Sequence, residues 1–183
     1  MTASTYRLRP ARLDELPRLS EIEDEAGKMY AEAEIPADLP GLSLEAFADA
    51  QREGMLWVVA DTADAPAAFA LCWRRPNAIH LRELDVAPAH MHQRLGRRLI
   101  EEVRNLASRE GRALVTLTTF AEVPWNAPLY RRYGFVEVPT ESQLPWLAEI
   151  RAQEEREGLD RWPRLAMAYS AKPDAPASWS RPP

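Results

Sequence analysis

Asp85 to Val103 reads DVAPAHMHQRLGRRLIEEV, and the fold turns on what this stretch is. A strand-like end passes through Ala87-Pro88 into a polar turn holding one glycine, Gly96, and then into an amphipathic helix. Leu95, Leu99, Val103 and Leu106 recur at three- to four-residue spacing and form one apolar stripe. A helix start exposes amide N–H groups that lack intrahelical partners and carries the positive end of the macrodipole, which suits it to a phosphate. Most loop-to-helix joints bind only water, so the reading has to be weighed against the rest of the chain.

Immediately upstream, AIHLRELDV changes parity: Ile79 and Leu81 share one strand face, whereas Leu84 and Val86 share the other. A period-two strand does this through a bulge or break, here at Arg82 to Leu84. Further upstream, Tyr6 to Pro10 reads as a strand, and a helix opening at Asp14 carries Leu16, Leu19, Ile22 and Ala26 on one face. A second helix spans Leu44 to Glu53 and stops at Gly54; MLWVVAD and PAAFALCWR then form a hairpin through TADA.

Downstream, ALVTLTTF is an apolar, β-branched run of the kind buried on both faces. VPWNAPLYRRYGFVEV is a loop, a short helix from Asn126, a stop at Gly134 and a strand. Leu144 to Glu157 is another helix, with Pro145 near its start and Gly158 beyond its end, and RLAMAYS closes the sheet. The expected organisation is one domain over residues 1–171 and a mobile Pro-rich tail over 172–183.

Composition narrows the function. The chain has 183 residues, 46% of them hydrophobic and 28% charged, with a formal charge of −5. That balance disfavours a nucleic-acid partner, which needs a dominant basic face. A single cysteine, Cys72, permits neither an internal disulfide nor a Cys-rich zinc site, and the three histidines, His80, His90 and His92, lack a patterned metal partner. No metal is expected. With no signal-peptide pattern and no apolar run approaching the ~20 residues of a membrane span, the expectation is a cytoplasmic protein without a membrane partner.

VAPAHMHQRLGRRLI resembles the acyl-CoA pyrophosphate-binding motif of the GNAT N-acetyltransferase superfamily, Q/R-x-x-G-x-G/A after a V-x-P strand end. WNAPLYRRYGF resembles that superfamily's later segment, in which Leu-Tyr is followed after three residues by Gly-Phe. The two lie one strand apart, and the likeness in element order runs from Tyr6 to Ser170. It implies an α/β fold: a single mixed, mostly antiparallel sheet of about seven strands, flanked by helices on both faces, its bulged fourth strand splayed from the fifth. This sequence places Met91 at the motif's Q/R position and Arg94 at its first glycine, keeping only Gly96. The family's frequent Asn seven residues before the tyrosine is replaced by Val123.

The resemblance implies acetyl-CoA as co-substrate, held by Leu84, Asp85 and Val86 at the strand end, by Met91, His92, Gln93, Arg94, Leu95, Gly96 and Arg97 at the turn, and by Asn126 and Tyr130. It also implies an amine as acceptor. A lysine-like amine of pKa about 10.4 is neutral roughly once in 2,500 at pH 7, a deficit of about 4.6 kcal/mol, so a base helps. His80 and Glu83 are the two candidates, and Tyr130 matches the residue that protonates the leaving thiolate. Each also has an ordinary structural alternative: a sheet histidine, a solvated carboxylate, a core tyrosine; Asn126 likewise suits a helix N-cap.

The RR pairs at Arg97-Arg98 and Arg131-Arg132 read as solvated helix faces or as phosphate aids, and Glu32, Glu34 and Asp38 as a solvated loop or a lure for a cationic acceptor. PTESQLPWLAEIRAQEEREG is a long insert whose Trp146 either lines an acceptor pocket or anchors its helix. The expected protein is an acetyl-CoA-dependent N-acetyltransferase acting by direct amine attack, with a catalytically degenerate CoA-binding module as the alternative. The resemblance leaves a homodimer open.

Overall fold

The strands are β1 Arg7–Pro10, β2 Leu56–Ala60, β3 Pro66–Arg75, β4 Ala78–Val86, β5 Leu114–Phe120, β6 Val136–Glu137 and β7 Arg164–Ser170. The helices are α1 Leu16–Gly27, α2 Leu44–Arg52, α3 Leu95–Arg109, α4 Ala127–Arg132 and α5 Pro145–Arg156. These come from a computed structural model that describes residues 5–36 and 41–171, so Asp38 and the 172–183 tail lie outside the described residues. The strands form a seven-stranded sheet in the order β1-β2-β3-β4-β5-β7-β6. It is mixed: β4 runs parallel to β5, and β1/β2, β2/β3, β5/β7 and β6/β7 are antiparallel. Helices flank it, as the resemblance implies.

The local elements follow from the patterns that predict them. In α1 the buried residues are Leu16, Leu19, Ile22 and Ala26, the whole expected stripe. Ser43 starts α2 by accepting a hydrogen bond from the Ala46 N–H on its hydroxyl, and Gly54, at φ 69°, supplies the left-handed residue that follows the helix. Asp61 closes the β2–β3 turn by accepting from the N–H groups of Ala63 and Ala65.

RLAMAYS does not close the sheet. As β7 it lies between β5 and β6 and pairs antiparallel with both. Its consecutive Ala166, Met167 and Ala168 are all buried, the signature of an interior strand, whereas β6 has two exposed residues and serves as the edge.

The described residues divide into two compact units, those up to 73 together with 81–103, and 74–80 together with those from 104 on. The first holds β1 to β3, the later part of β4, α1 and α2; Phe47 of α2 meets Phe69 of β3 edge-on at 5.3 Å in its core. The second holds β5 to β7, α4 and α5. There Glu154 of α5 is buried and bonded by the Thr118 hydroxyl of β5, by Arg151, and by Arg164 of β7 at 2.9 Å, which docks the long insert onto the sheet. Among the described residues no helix is long and apolar enough to cross a membrane.

Candidate active site

In the first unit, β4 delivers the chain to the turn that precedes α3. Burial along the strand changes at Arg82: Ala78 to Leu81 are buried, and Arg82 to Val86 are half-buried. Beyond the strand, Ala87 donates its N–H to the Ala67 carbonyl at 2.9 Å, and a 3-10 turn over Pro88–His90 follows. The Tyr6 hydroxyl and His90 Nδ1 lie 2.9 Å apart, while Arg98 donates to the Tyr6 carbonyl at 3.0 Å, so Tyr6, the residue before β1, braces the turn.

Two non-glycine residues in this turn are left-handed, His92 at φ 63° and Arg94 at φ 59°. That conformation costs an L-residue about 1–2 kcal/mol and belongs to backbone concavities that bind anions. Arg94 occupies the glycine position of the motif, so the departure read in the sequence falls where glycine's freedom is used. Its carbonyl accepts from the Arg98 N–H at 3.2 Å, making it the residue that opens α3.

Leu95 is buried, Met91 and Gly96 are half-buried, and His92, Gln93, Arg94 and Arg97 are exposed. A Cβ added at Gly96 would sit 3.4 Å from Leu84 and 3.9 Å from Val86, so the helix start rides directly on the strand end. Arg97 pairs with Glu101 at 2.8 Å. The Arg94 guanidinium, by contrast, has no side-chain partner among the described residues.

The same unit assembles carboxylates. Glu23 of α1 accepts the Leu42 N–H at 2.9 and 3.2 Å, and a Cβ on Gly41 would come within 3.3 Å of its carboxyl group. Burial, with the Glu83 charge second, pushes Glu23 up to about 7 against the pull of the Leu42 N–H. Burial also drives the Asp85 carboxyl well up, helped by the charges of Glu83 and Glu23. Glu83 is half-buried; Arg82 reaches it at 3.4 Å and stacks over Trp73 at 5.6 Å.

In the second unit, His80 is buried, its Nδ1 3.0 Å from the Thr116 hydroxyl and its ring edge-on to Trp146 of α5 at 6.0 Å. Trp146 also packs on Val138, Leu147, Ala166 and Ala168, so it anchors its helix. Asn126 stands at the N-cap position of α4 and is buried, but its side chain makes no capping bond. Its backbone carbonyl instead accepts from Leu129 and Tyr130 at 2.8 and 3.0 Å.

The end of α4 explains the spacing of LYRRYGF. Gly134, at φ 80°, donates to the Arg131 carbonyl at 2.9 Å, and Phe135 donates to the Tyr130 carbonyl at 3.1 Å. These two bonds make a Schellman motif, whose apolar contact is supplied by the Tyr130 and Phe135 rings, 5.7 Å apart and near-perpendicular. Tyrosine, three residues, glycine and phenylalanine are therefore the parts of one helix terminus that fixes where Tyr130 leaves the backbone.

Leu84, Asp85, Val86, Glu83 and the Met91 to Arg97 turn thus fall in one unit, and His80, Asn126 and Tyr130 in the other. Glu23 and Thr116 are absent from the sequence-derived set. Thr116 sits in an apolar run that reads as core, and Glu23 lies one residue from the buried Ile22, where helical periodicity points to solvent.

Residues 52–137 match the model of the acetyltransferase (GNAT) domain. Among solved structures, the ribosomal-protein-S18-alanine N-acetyltransferase from Escherichia coli is 20% identical, covers 91% of this chain and 94% of its own, and superposes with a TM-score of 0.65. An acetyltransferase of the GNAT family from Staphylococcus aureus is 15% identical, with 91% and 99% covered and a TM-score of 0.69. PaiA N-acetyltransferase from Thermoplasma acidophilum, solved in complex with coenzyme A, is 15% identical, with 90% and 98% covered and a TM-score of 0.60.

Proposed function

We infer that the chain, which has the GNAT fold and matches the model of the GNAT acetyltransferase domain over residues 52–137, is an acyl-CoA-dependent N-acyltransferase. The observation that carries the reading is the Met91 to Gly96 turn. Left-handed residues at 92 and 94, a helix start and a guanidinium with no side-chain partner among the described residues suit an anion such as a pyrophosphate. The residues fit the group: Gly96 allows close packing on Leu84 and Val86, and Arg94 adds charge. The coenzyme-A complex of the PaiA relative supports the same ligand here.

Bound acetyl-CoA supplies the thioester whose acetyl group is transferred. Glu83 or His80 takes a proton from the acceptor amine as its nitrogen bonds to the acetyl carbon. Tyr130 donates its phenolic proton to the sulfur as the carbon–sulfur bond breaks, and solvent restores the phenol. Glu23, its carboxyl raised to about 7, and Asp85, raised by burial, stand with Glu83 in the first unit, and a cationic acceptor would relieve their mutual repulsion. We place the reaction in the cytoplasm, with acetyl as the donor group and an amine of a small molecule or peptide as acceptor.

Thermal shift with acetyl-CoA, followed by thiol release with a panel of primary amines, tests the function. A specific ligand at a hundredfold excess over its Kd stabilises by about 2.7 kcal/mol. A raised Tm together with thiol release is expected. No shift at millimolar acetyl-CoA sinks the reading; a shift without release on any amine makes the protein a CoA-binding module.

A further inference from the structure

We propose that Arg104 of α3 is the positioning residue of Tyr130, locking the end of α4 through the Tyr133 carbonyl and the Phe135 ring. The inference rests on the reading of Tyr130 as leaving-group acid. The Schellman motif uses the Tyr130 and Arg131 carbonyls, which leaves the carbonyl of Tyr133, the residue at the helix end, for another donor. Arg104 donates to that carbonyl through its Nη2. The same guanidinium lies 3.9 Å from the centre of the Tyr169 ring and 5.4 Å from that of Phe135.

Phe135 is buried, 5.7 Å from Tyr169 on one side and 5.7 Å from Tyr130 on the other. A cation held over two rings and bonded to the helix terminus fixes the ring against which Tyr130 rests. Position matters because an acid misplaced by about 1 Å can lose up to 10²-fold in rate. The guanidinium's planarity serves this place, since a stacked cation must offer both a face to the rings and an edge to the carbonyl.

The chain has five tyrosines, so protein labelled with 3-fluorotyrosine gives a resolvable fluorine spectrum in which Tyr130→Phe identifies one line. In Arg104→Met the Tyr130 line is expected to shift or broaden, as are those of the directly contacted Tyr133 and Tyr169, while the Tyr6 and Tyr30 lines stay in place. In thiol-release assays with acetyl-CoA and the most active amine of the panel, Arg104→Met should lower kcat about tenfold with KM for acetyl-CoA nearly unchanged, and add little in a Tyr130→Phe background. An unmoved Tyr130 line, or an equal loss of kcat in both backgrounds, overturns the proposal. Should Arg104→Met not fold, Arg104→Gln, which keeps a donor for the carbonyl but no charge over the rings, carries the same comparison. If Tyr130→Phe retains full turnover, the acid assignment fails, and the fluorine line still decides whether Arg104 positions the tyrosine.

Discussion

Phe135 donates its backbone N–H to the Tyr130 carbonyl across 3.1 Å and sets its ring edge-on to the tyrosine ring at 5.7 Å. Both contacts depend on Gly134, whose φ of 80° turns the chain back on itself. A Cβ there would stand 3.8 Å from the Tyr169 ring, an ordinary contact, so the cost of Gly134→Ala is conformational rather than steric. It should destabilise by about 1–2 kcal/mol, read from urea midpoints at unchanged m-value. An unchanged midpoint would mean that the helix end does not hold the motif together.

Tyr130→Phe removes the proposed acid and keeps the ring against Phe135. It should lower kcat by about 10²- to 10⁴-fold and leave acetyl-CoA affinity, measured by calorimetry, close to wild type. The two base candidates separate by environment. His80 is buried between Thr116 and Trp146, whereas Glu83 is half-buried among Arg82, Glu23 and Asp85. Glu83→Gln should abolish the acidic limb of the pH–rate profile; His80→Ala should keep that limb and cost about 1–3 kcal/mol of stability through the lost packing and the buried Thr116 hydroxyl that loses its partner. The reverse pattern would assign the base to His80.

Glu23 gives a pH signature of definite sign. Its carboxyl is raised from the ordinary value near 4.5 to about 7, so between those values the native state holds a proton that the unfolded chain has released. The native state then binds more protons, and stability falls as pH rises through that window. Asp85, raised by burial, acts in the same direction. Glu15 and Glu154 are depressed by their arginine partners and act oppositely, costing stability only as pH falls below the ordinary carboxylate range. Glu23→Gln should flatten the decline between pH 4.5 and 7 by about 1–2 kcal/mol after screening of a half-buried group. Parallel slopes for wild type and variant in urea titrations would remove Glu23 from the account.

Most of the fold was legible because its elements are amphipathic with a constant period: α1 and α3 bury the residues their spacing marks. The place of β7 was not, since strand order depends on which edges pair, and a run such as RLAMAYS reads alike beside either neighbour. In the site, the LYRRYGF pattern was visible as a string, while its cause, a helix terminus closed by Gly134 and Phe135, appears only in the bonds. Glu23 was hidden for the opposite reason. Its partner Leu42 is nineteen residues away across a Pro-rich segment, and no local pattern records that contact.

Arg94 is where sequence and structure together sharpen the expectation. An arginine at φ 59° costs about 1–2 kcal/mol that glycine would not, yet among the described residues its guanidinium has no side-chain partner, whereas Arg97 and Arg98 are engaged by Glu101 and Tyr6. Two effects of Arg94→Gly therefore have opposite signs and separate readouts. The folded protein should gain about 0.5–1 kcal/mol from relief of the left-handed residue, less the extra entropy of an unfolded glycine, and urea midpoints without ligand will show it. Acetyl-CoA binding should weaken, because a charge-assisted contact to phosphate contributes about 1.5–3 kcal/mol, and it should become less sensitive to salt once that screened pair is gone. Calorimetric titration at low and high ionic strength checks both consequences. Tighter binding by the glycine variant at both salt concentrations would mean that the Arg94 side chain crowds the turn, and would favour the CoA-binding module with an impaired site.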